Sequence, residues 1–294
     1  MNFKHIFLVF ILIFLVSLVI FITVQKKSNQ GVEHFTDTEF VNHDQIYDKF
    51  YSSIYNQLFH SEHRVSYEVN DLTNNVIKTN SKIELLDLGC GTGKHLKLLE
   101  PKYIVTGLDK SGEMLKLARE ENQNIRFING DAYDFSLFPK KSFDIITCYF
   151  FTIYYFKDIN KIIKNVYDWL KPGGKFAVHI VNKDKFDPLL DLASPFPAFS
   201  LQKYSNDRIT SSKIHFNNFL YTGNFVKDVN YYRFVEVFKH KHKSMIRKQE
   251  HRLYMFKVDT FLKLMKDRGF KNIGQTDLLP VGCEYQYIFY FRKK

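Results

Sequence analysis

The 294-residue chain has few cysteines, few prolines and a single tryptophan. Its three cysteines, Cys90, Cys148 and Cys283, are an odd number and show no metal-binding or redox spacing. A disulfide framework and a cysteine-based zinc site are therefore disfavoured. Apolar residues make up 45% of the chain, so a chain of this length can bury a large hydrophobic core.

Charge is absent from residues 6–24, which form a run of 19 uncharged and mostly apolar residues. As a helix this run would be about 28 Å long, close to the hydrocarbon thickness of a bilayer. A cleaved signal peptide has a shorter apolar region and small residues at its cleavage site, and residues 23–27 offer no such site. We predict a transmembrane anchor over residues 1–24, followed by a polar linker over residues 25–45.

The basic residues that flank the apolar run do not decide its orientation, because Lys4 and the terminal amine oppose Lys26 and Lys27. The odd number of cysteines argues against a disulfide framework, and no Asn-x-Ser/Thr acceptor for glycosylation occurs, so both observations favour the cytosolic side. We therefore expect a single-pass membrane protein whose main body faces the cytosol.

Residues 85–95 are the most informative segment of the chain, Leu-Leu-Asp-Leu-Gly-Cys-Gly-Thr-Gly-Lys-His. An apolar run stops at Gly89, and a helical pattern follows Gly93, which predicts a buried strand, a glycine turn and a helix. Glycines suit a turn whose backbone touches a ligand, because a Cβ atom would hold that ligand away. The sixth residue counted from Gly89 is Lys94, so the dinucleotide fingerprint fails, and no Gly-Lys-Ser/Thr follows for a P-loop.

Two further predicted strands also end in carboxylates at a regular spacing. Asp109 follows Asp87 by 22 residues, and Asp131 lies another 22 residues along the chain. The glycine turn and these strand ends resemble the class I S-adenosylmethionine-dependent methyltransferases, and the resemblance covers residues 83–181. Any one of these acids alone would more often be a helix cap or a turn residue, whereas three at this spacing indicate a binding site.

The resemblance implies how each position would hold S-adenosylmethionine. The implied contacts are Asp87, Gly89, Gly91 and Gly93 for the methionine part, Asp109 for the ribose diol, Lys110, Asp131 and Ala132 for the adenine, and Tyr149 beside the sulfonium. Residues 46–80 are predicted to form a helical cap, with a first helix from Ile46, where aromatic residues recur every four positions, and a second helix from Arg64 to Ile77. The resemblance implies that Tyr47 and Arg64 of this cap close over the cofactor; the alternative is that the tyrosines are core residues with solvated hydroxyls.

The remaining segments complete the predicted fold. Residues 81–183 form the cofactor-binding core, and residues 184–257 alternate with period two, which indicates an antiparallel insert of about four strands. Residues 258–294 contain one helix and two final strands. The predicted fold is α/β, with a doubly wound, mostly parallel sheet of seven strands, an inserted antiparallel β lid and an N-terminal transmembrane helix.

Part of the net charge of +11 is concentrated in residues 239–248. Three interpretations remain open: a solvated hairpin, a patch that contacts anionic lipid, and a nucleic-acid contact. Nucleic acid is the least favoured partner, because no reader module accompanies the charge. We expect no metal site, since the histidines here alternate with lysines and lack completing ligands.

Methyl transfer from a sulfonium requires mainly alignment and the exclusion of water, and a base is needed only for some acceptors. His179 near a strand end is the candidate base, although such a histidine is more often structural. Tyr149 is the second catalytic candidate, and together with Tyr154 and Tyr155 it could orient an acceptor.

We predict a membrane-anchored S-adenosylmethionine-dependent methyltransferase acting on a small-molecule, lipid or quinone-like acceptor. The alternative is an inactive, membrane-tethered binding protein that retains the fold, although the presence of Asp87, Asp109 and Asp131 argues against it. An NAD-linked oxidoreductase is disfavoured by Lys94.

Overall fold

A computed structural model describes residues 39–76, 82–190 and 207–294, together with Ala193 and Gln202. The predicted transmembrane anchor, residues 1–24, and most of the predicted linker lie outside the described residues. Within the described ranges, no helix has both the length and the apolar character required to cross a bilayer.

The central sheet has seven strands. They are β2 (Glu84–Leu88), β3 (Ile104–Asp109), β4 (Arg126–Asn129), β5 (Phe143–Cys148), β6 (Leu170–Val181), β11 (Phe270–Asp277) and β12 (Gln286–Lys293). Their order is β11-β12-β6-β5-β2-β3-β4, and strands β2 to β6 pair in parallel while β12 is antiparallel to β6 and β11. The predicted mostly parallel sheet of seven strands is therefore confirmed.

Helices cover both faces of this sheet. They are α1 (Lys49–Phe59), α2 (Glu62–Asp71), α3 (Lys94–Leu99), α4 (Gly112–Glu121), α5 (Ile159–Trp169) and α6 (Val258–Asp267). Leu85 and Leu86 of β2 are both fully buried but belong to different apolar clusters, because successive side chains of a strand point to opposite faces. One cluster contains residues of α2, α3 and α4, and the other contains residues of α5 and α6. Burial on both faces explains the continuous apolar sequence of these strands.

The chain order of the strands places a crevice at their carboxyl ends. From β2 the chain proceeds to β3 on one side, whereas β5 pairs with β2 on the other side. Ligands of open α/β sheets bind where the strand order reverses in this way. The glycine turn after β2 and Asp109 at the end of β3 both lie at this edge.

A second sheet forms the insert. Its strands are β1 (Glu39–Val41), β7 (Ser211–His215), β8 (Phe219–Lys227), β9 (Tyr232–His240) and β10 (Ile246–Leu253), in the order β1-β10-β9-β8-β7. Strands β7 to β10 are antiparallel, as predicted for the lid, and β1 adds in parallel to β10. Helix α1 packs on this sheet through Tyr51 and Ile54, which share a buried cluster with Phe238.

Three boundaries in the N-terminal region differ from the sequence prediction. Residues 39–45, assigned to the linker, contain β1 and a 3-10 turn. Helix α1 begins at Lys49 instead of Ile46, because the Asp48 side chain caps it by accepting the Tyr51 N–H. Helix α2 begins at Glu62 instead of Arg64, since Ser61 caps it in the same way.

Arg247 belongs to the basic stretch, yet its side chain is only 1% exposed. Its guanidinium donates to Glu39 Oε1 at 3.0 Å, to Asp48 Oδ2 at 2.6 Å and to Gln249 Oε1 at 2.8 Å. It therefore joins β1 and the start of α1 to the lid. His240 is buried as well, so the exposed basic surface of residues 239–248 is smaller than the sequence suggests.

Replacing Arg247 by alanine should lower the free energy of unfolding by about 2 kcal/mol, because hydrogen bonds to a charged and buried donor are lost together. Arg252→Ala is the matched control, since the Arg252 side chain is 50% exposed and should contribute within about 0.5 kcal/mol. Urea unfolding of both variants measures the difference. Equal destabilisation by the two substitutions would contradict the role given to Arg247.

Candidate functional site

A cleft of about 450 Å³ opens at the carboxyl ends of β2, β3 and β4. Its walls come from the glycine turn, residues 108–114 and residues 130–133. Tyr47 and Tyr55 close it from the N-terminal segment, and Thr152 and Tyr155 close it from the segment after β5. The cleft therefore lies where the sheet topology predicts a ligand.

The glycine turn requires glycine for two reasons. Gly89 and Gly91 have φ values of +68° and +53°, in the left-handed region. A Cβ atom on Gly89 would also lie 2.4 Å from Thr152 Cγ2. The N–H groups of Gly89 and Cys90 both donate to Leu108 O, at 2.7 and 3.1 Å, and fix the turn against β3. Both Gly89 and Gly91 line the cleft.

Asp109 lies in the cleft wall at the end of β3. Its Oδ2 accepts the Gly91 N–H at 2.9 Å, and its Oδ1 accepts the Ser111 N–H at 2.8 Å. Burial raises the pKa of this carboxyl, and the backbone N–H donors partly offset that effect. Each oxygen keeps further lone pairs with which it can accept a hydroxyl group of a ligand.

The predicted adenine-binding positions lie in the same cleft. Asp131 is half-exposed, its Oδ1 accepts the Tyr133 N–H at 2.9 Å, and its Oδ2 lies 3.2 Å from Lys110 Nζ. Lys110 and Ala132 also line the cleft. An exposed ion pair of this kind contributes at most about 1 kcal/mol, so Asp131 remains able to accept from a ligand.

Two predicted contacts lie behind the cleft wall. Asp87 is 2% exposed, and its Oδ1 accepts the Thr147 hydroxyl at 2.7 Å. Gly93 faces Phe127 and Asn122 instead of the cleft. Burial raises the pKa of Asp87 to about 6, opposed by the charge of His95 and the Thr147 hydrogen bond.

A buried polar cluster lies beside Asp87 and consists of Arg64, Glu68, His95 and Tyr149. His95 Nε2 is 2.6 Å from Glu68 Oε2, and its ring stacks on Tyr149 at 4.4 Å. Arg64 Nε lies 4.0 Å from Glu68 Oε1, and its guanidinium lies over the Phe150 ring. Arg64 Nε, Glu68 Oε1 and Tyr149 Oη are buried without a hydrogen-bond partner. Buried polar atoms are normally paired, so three unpaired ones within one cluster indicate a place for a polar ligand group.

A smaller cavity of about 130 Å³, here called the chamber, adjoins the cleft. Tyr47, Tyr55, Thr152 and Tyr155 line both cavities and form their junction. The rest of the chamber wall is mainly apolar and includes six phenylalanines, Phe59, Phe150, Phe151, Phe186, Phe225 and Phe234. Arg64 also lies in this wall, not in the cleft, so the structure brings it to the chamber side of the junction.

The two predicted catalytic residues line neither cavity. His179 is 1% exposed, its Nε2 lies 3.0 Å from Gln286 Oε1, and burial lowers its pKa. Phe150 and Phe151 pack against its ring, so the structural interpretation of His179 fits its position. Tyr149 is 4% exposed and belongs to the buried polar cluster, and burial raises its pKa.

His251 in the chamber wall was not identified from the sequence. It alternates with Arg247, Gln249 and Leu253 along β10, and all four are buried. Polar residues at every second position of β10 lie on its buried face, and this alternation in the sequence could have identified His251 as a functional candidate. Among the residues that the structure describes, no group of three or more His, Cys, Asp or Glu side chains could hold a metal ion.

Comparison with known proteins agrees with this geometry. A family model described as a methyltransferase domain matches residues 85–174. The resemblance of these residues to methyltransferases, expected from the sequence, is therefore confirmed. The S-adenosylmethionine-dependent methyltransferase of Clostridium acetobutylicum superimposes on 83% of this chain and 97% of its own, with a TM-score of 0.61 and 20% identity, which shows the fold.

Two curated methyltransferases are similar to this domain in sequence. The chain is 37% identical to the dTDP-4-amino-2,3,4,6-tetradeoxy-D-glucose N,N-dimethyltransferase of Saccharopolyspora spinosa over 94 residues, 31% of this chain and 37% of that protein. It is 32% identical to the demethylmenaquinone methyltransferase of Listeria welshimeri over 114 residues, 36% of this chain and 48% of that protein. The matches span less than half the length of these relatives, and the methyltransferase domain is what they share with this chain.

Asp87→Asn should stabilise the domain at neutral pH. The folded-state pKa of about 6 lies above the usual 3.8, so the folded protein binds the proton more tightly than the unfolded chain between these values. The free energy of unfolding of the wild type therefore falls as the pH rises from 3.8 to about 6. Above about pH 6 the whole destabilisation by the ionised Asp87 carboxylate is present. We expect Asp87→Asn to raise the free energy of unfolding by about 2 kcal/mol at pH 7.5 and by almost nothing near pH 4.

Urea unfolding at the two pH values measures this gain. Asp131→Asn serves as the control because it removes a half-exposed carboxylate of the same cleft region. A gain from Asp87→Asn that does not depend on pH would show that the cost of ionising Asp87 is not its source.

Proposed function

We propose that this chain is a methyltransferase that transfers the methyl group of S-adenosylmethionine to a small-molecule acceptor bound in the chamber. The observation that carries the proposal is the cleft itself: a turn whose cleft-lining residues, Gly89 and Gly91, have no side chains, with Asp109 and Asp131 in the adjoining wall. The match of residues 85–174 to a methyltransferase domain supports the same activity.

The described residues fit the chemistry of the cofactor. Asp109 would accept hydrogen bonds from the ribose hydroxyls, and Asp131 would accept one from the adenine amino group. The charged amino-acid end needs partners of both signs, which the buried polar cluster and Asp87 supply. Arg64 of the chamber wall would bind the carboxylate from the chamber side of the junction, and the enclosed charges of Glu68 and Asp87 would stabilise the ammonium group at a distance. The three unpaired atoms of the cluster are consistent with this use.

The cofactor would supply an activated methyl group on a sulfonium. The residues of this chain would then hold donor and acceptor in line and exclude water, which is sufficient for a displacement of this kind. The junction is the only place at which the cleft and the chamber share wall residues among those described, so we assign methyl transfer to it. The aromatic wall of the chamber keeps water away from the reacting atoms.

The acceptor class follows from the chamber. An apolar wall rich in aromatic residues favours an apolar or ring-bearing molecule, and Arg64, Asp187 and Gln286 add polar groups to this wall. The relatives are named for an amino sugar and for demethylmenaquinone, so the shared domain accompanies more than one acceptor class. Lipid and quinone-like acceptors gain support from the membrane anchor proposed next.

We also propose that residues 6–24 anchor the enzyme to a membrane, with the catalytic body in the cytosol. The support is the uncharged run of 19 residues and the cysteine usage of the sequence. Such an anchor would hold the cleft near a membrane surface, where apolar acceptors are concentrated.

Gly89→Ala should weaken binding of S-adenosylmethionine at least tenfold, because its Cβ would displace Thr152 at the junction. Gly173→Ala is a matched control: φ is +76° there as well, but nothing lies within 4 Å of the added Cβ. Both variants should lose about 1 kcal/mol of stability from the left-handed conformation. Titration calorimetry with S-adenosylmethionine and S-adenosylhomocysteine measures the loss of binding, which we expect only for Gly89→Ala, separately from the loss of stability that both variants share. No binding of either ligand by the folded wild-type chain would reject the proposed activity.

The full chain should remain in the membrane fraction after high-salt and alkaline washes, because a transmembrane helix is held by its apolar surface and not by charge. A chain beginning at Glu39 should be released. Fractionation followed by mass spectrometry of the N-terminus tests both points. Release of the full chain by salt, or a mature N-terminus after residue 24, would contradict the anchor.

A further inference from the structure

Four polar side chains form a continuous chain of hydrogen bonds from the junction into the lid. Tyr47 Oη lies 2.8 Å from Tyr155 Oη, and Tyr155 Oη lies 2.7 Å from His251 Nδ1. His251 Nε2 lies 2.6 Å from Glu236 Oε2. The lid end is fully enclosed, since Glu236 is 0% and His251 is 2% exposed. We call these four residues the relay.

The contacts of Glu236 determine the direction of every hydrogen bond in the relay. Tyr221 donates to Glu236 Oε1 at 2.7 Å, and Gln249 donates to Oε2 at 2.6 Å. Both oxygens of Glu236 thus accept, so His251 Nε2 donates to Oε2 at 2.6 Å, and Tyr51 Oη, 3.2 Å from the same nitrogen, is a second and longer acceptor. In the neutral imidazole Nδ1 then carries a lone pair and accepts from Tyr155. Tyr155 in turn accepts from Tyr47.

All donors of the relay therefore point into the lid. The outermost oxygen, Tyr47 Oη, is left with a lone pair at the junction, where Tyr47 and Tyr155 line both cavities. The Tyr47 segment is itself held in place, because Ser111 Oγ donates to Tyr47 O at 2.7 Å. A network that served only to stabilise the lid would not need an acceptor at the place of methyl transfer.

We propose that the relay is the general base of the reaction, with His251 as the final proton acceptor. The proposal rests on the proposed function and extends it to the acceptor, which must carry a hydroxyl or amine proton that leaves on methylation. His251 is oriented by Glu236, and the two tyrosine hydroxyls connect it to the acceptor.

The step balances as follows. The acceptor oxygen or nitrogen forms a bond to the methyl carbon, the sulfur–carbon bond breaks, and its electron pair neutralises the sulfonium. The acceptor proton moves to Tyr47 Oη, the Tyr47 proton moves to Tyr155 Oη, and the Tyr155 proton moves to His251 Nδ1. The imidazolium that forms is stabilised by the Glu236 carboxylate. The proton returns to solvent through the same hydroxyls after the product leaves.

Both tyrosines remain neutral before and after this transfer. Burial raises the pKa of Tyr47 and of Tyr155 well above the usual range, so neither is suited to hold a negative charge. A relay that ends on an imidazole avoids a buried phenolate. This division of roles follows from the geometry of the four side chains.

The first test is the tautomer of His251 in the full wild-type chain. Nitrogen-15 NMR of histidine-labelled protein at pH 7.5 distinguishes a protonated ring nitrogen from an unprotonated one, and His251→Asn identifies the signal by its loss. We expect Nε2 to be protonated and Nδ1 to be unprotonated. A protonated Nδ1 would overturn the proposal, because His251 could not then accept from Tyr155. This test requires neither cofactor nor acceptor.

The second test compares Tyr155→Phe and His251→Asn with matched controls in the same lid region. Tyr254→Phe and His215→Asn are the controls; neither residue lines the cleft or the chamber, and His215 is exposed. The assay measures transfer of a labelled methyl group to an extract of small metabolites and lipids, together with calorimetry of S-adenosylmethionine. We expect the relay variants to bind the cofactor within about threefold of wild type but to transfer 10²-fold to 10⁴-fold more slowly, on the order of the usual contribution of a general base.

The outcomes separate the relay from the proposed function. Transfer by His251→Asn or Tyr155→Phe at the rate of the controls would overturn the relay and leave the methyltransferase intact. A folded wild-type chain that binds no S-adenosylmethionine would reject the proposed function. If wild type binds the cofactor but labels nothing in the extract, the tautomer of His251 decides the proposal.

Discussion

The attachment of the glycine turn to strand β3 is the constraint on which the site depends. The N–H groups of Gly89 and Cys90 donate to Leu108 O, and the Gly91 N–H donates to Asp109. These bonds hold the backbone of Gly89 and Gly91 close to the Asp109 carboxylate. Because the turn is left-handed and lies close to Thr152, only glycine satisfies both the backbone and the space. The cleft exists because these backbone groups are paired within the fold.

The N-terminal segment and the lid depend on each other to build the chamber. Arg247 connects β1, the start of α1 and β10 through charged hydrogen bonds in a buried position. This connection holds Tyr47 against the core on one side and His251 of the lid on the other. A buried ion pair is expensive to desolvate, so its value here lies in fixing positions. The chamber is thus formed by segments that are distant in sequence and that are held together by polar contacts.

Two features at the carboxyl edge of the central sheet lower the stability of the fold. Asp87 is enclosed behind the glycine turn, and its raised pKa shows that the ionised carboxylate is disfavoured in the fold. The neighbouring polar cluster leaves three buried atoms without partners. Costs of this kind are common at ligand-binding sites, which is consistent with the proposed position of the charged end of the cofactor beside Asp87.

The sequence by itself determined the seven-stranded sheet, the lid and the position of the glycine turn. Apolar runs and period-two segments reflect local burial, and acids at strand ends converge because parallel strands share one edge. Only the tertiary structure decided that Asp109 and Asp131 line the cleft while Asp87 lies behind it. No local sequence pattern shows whether a side chain next to a turn faces the cleft or is enclosed behind the turn. The position of His179 near a strand end predicts an accessible base, but the surrounding side chains bury it. Tyr155 and His251 are 96 positions apart in the sequence, and they are in contact because the lid packs on the core.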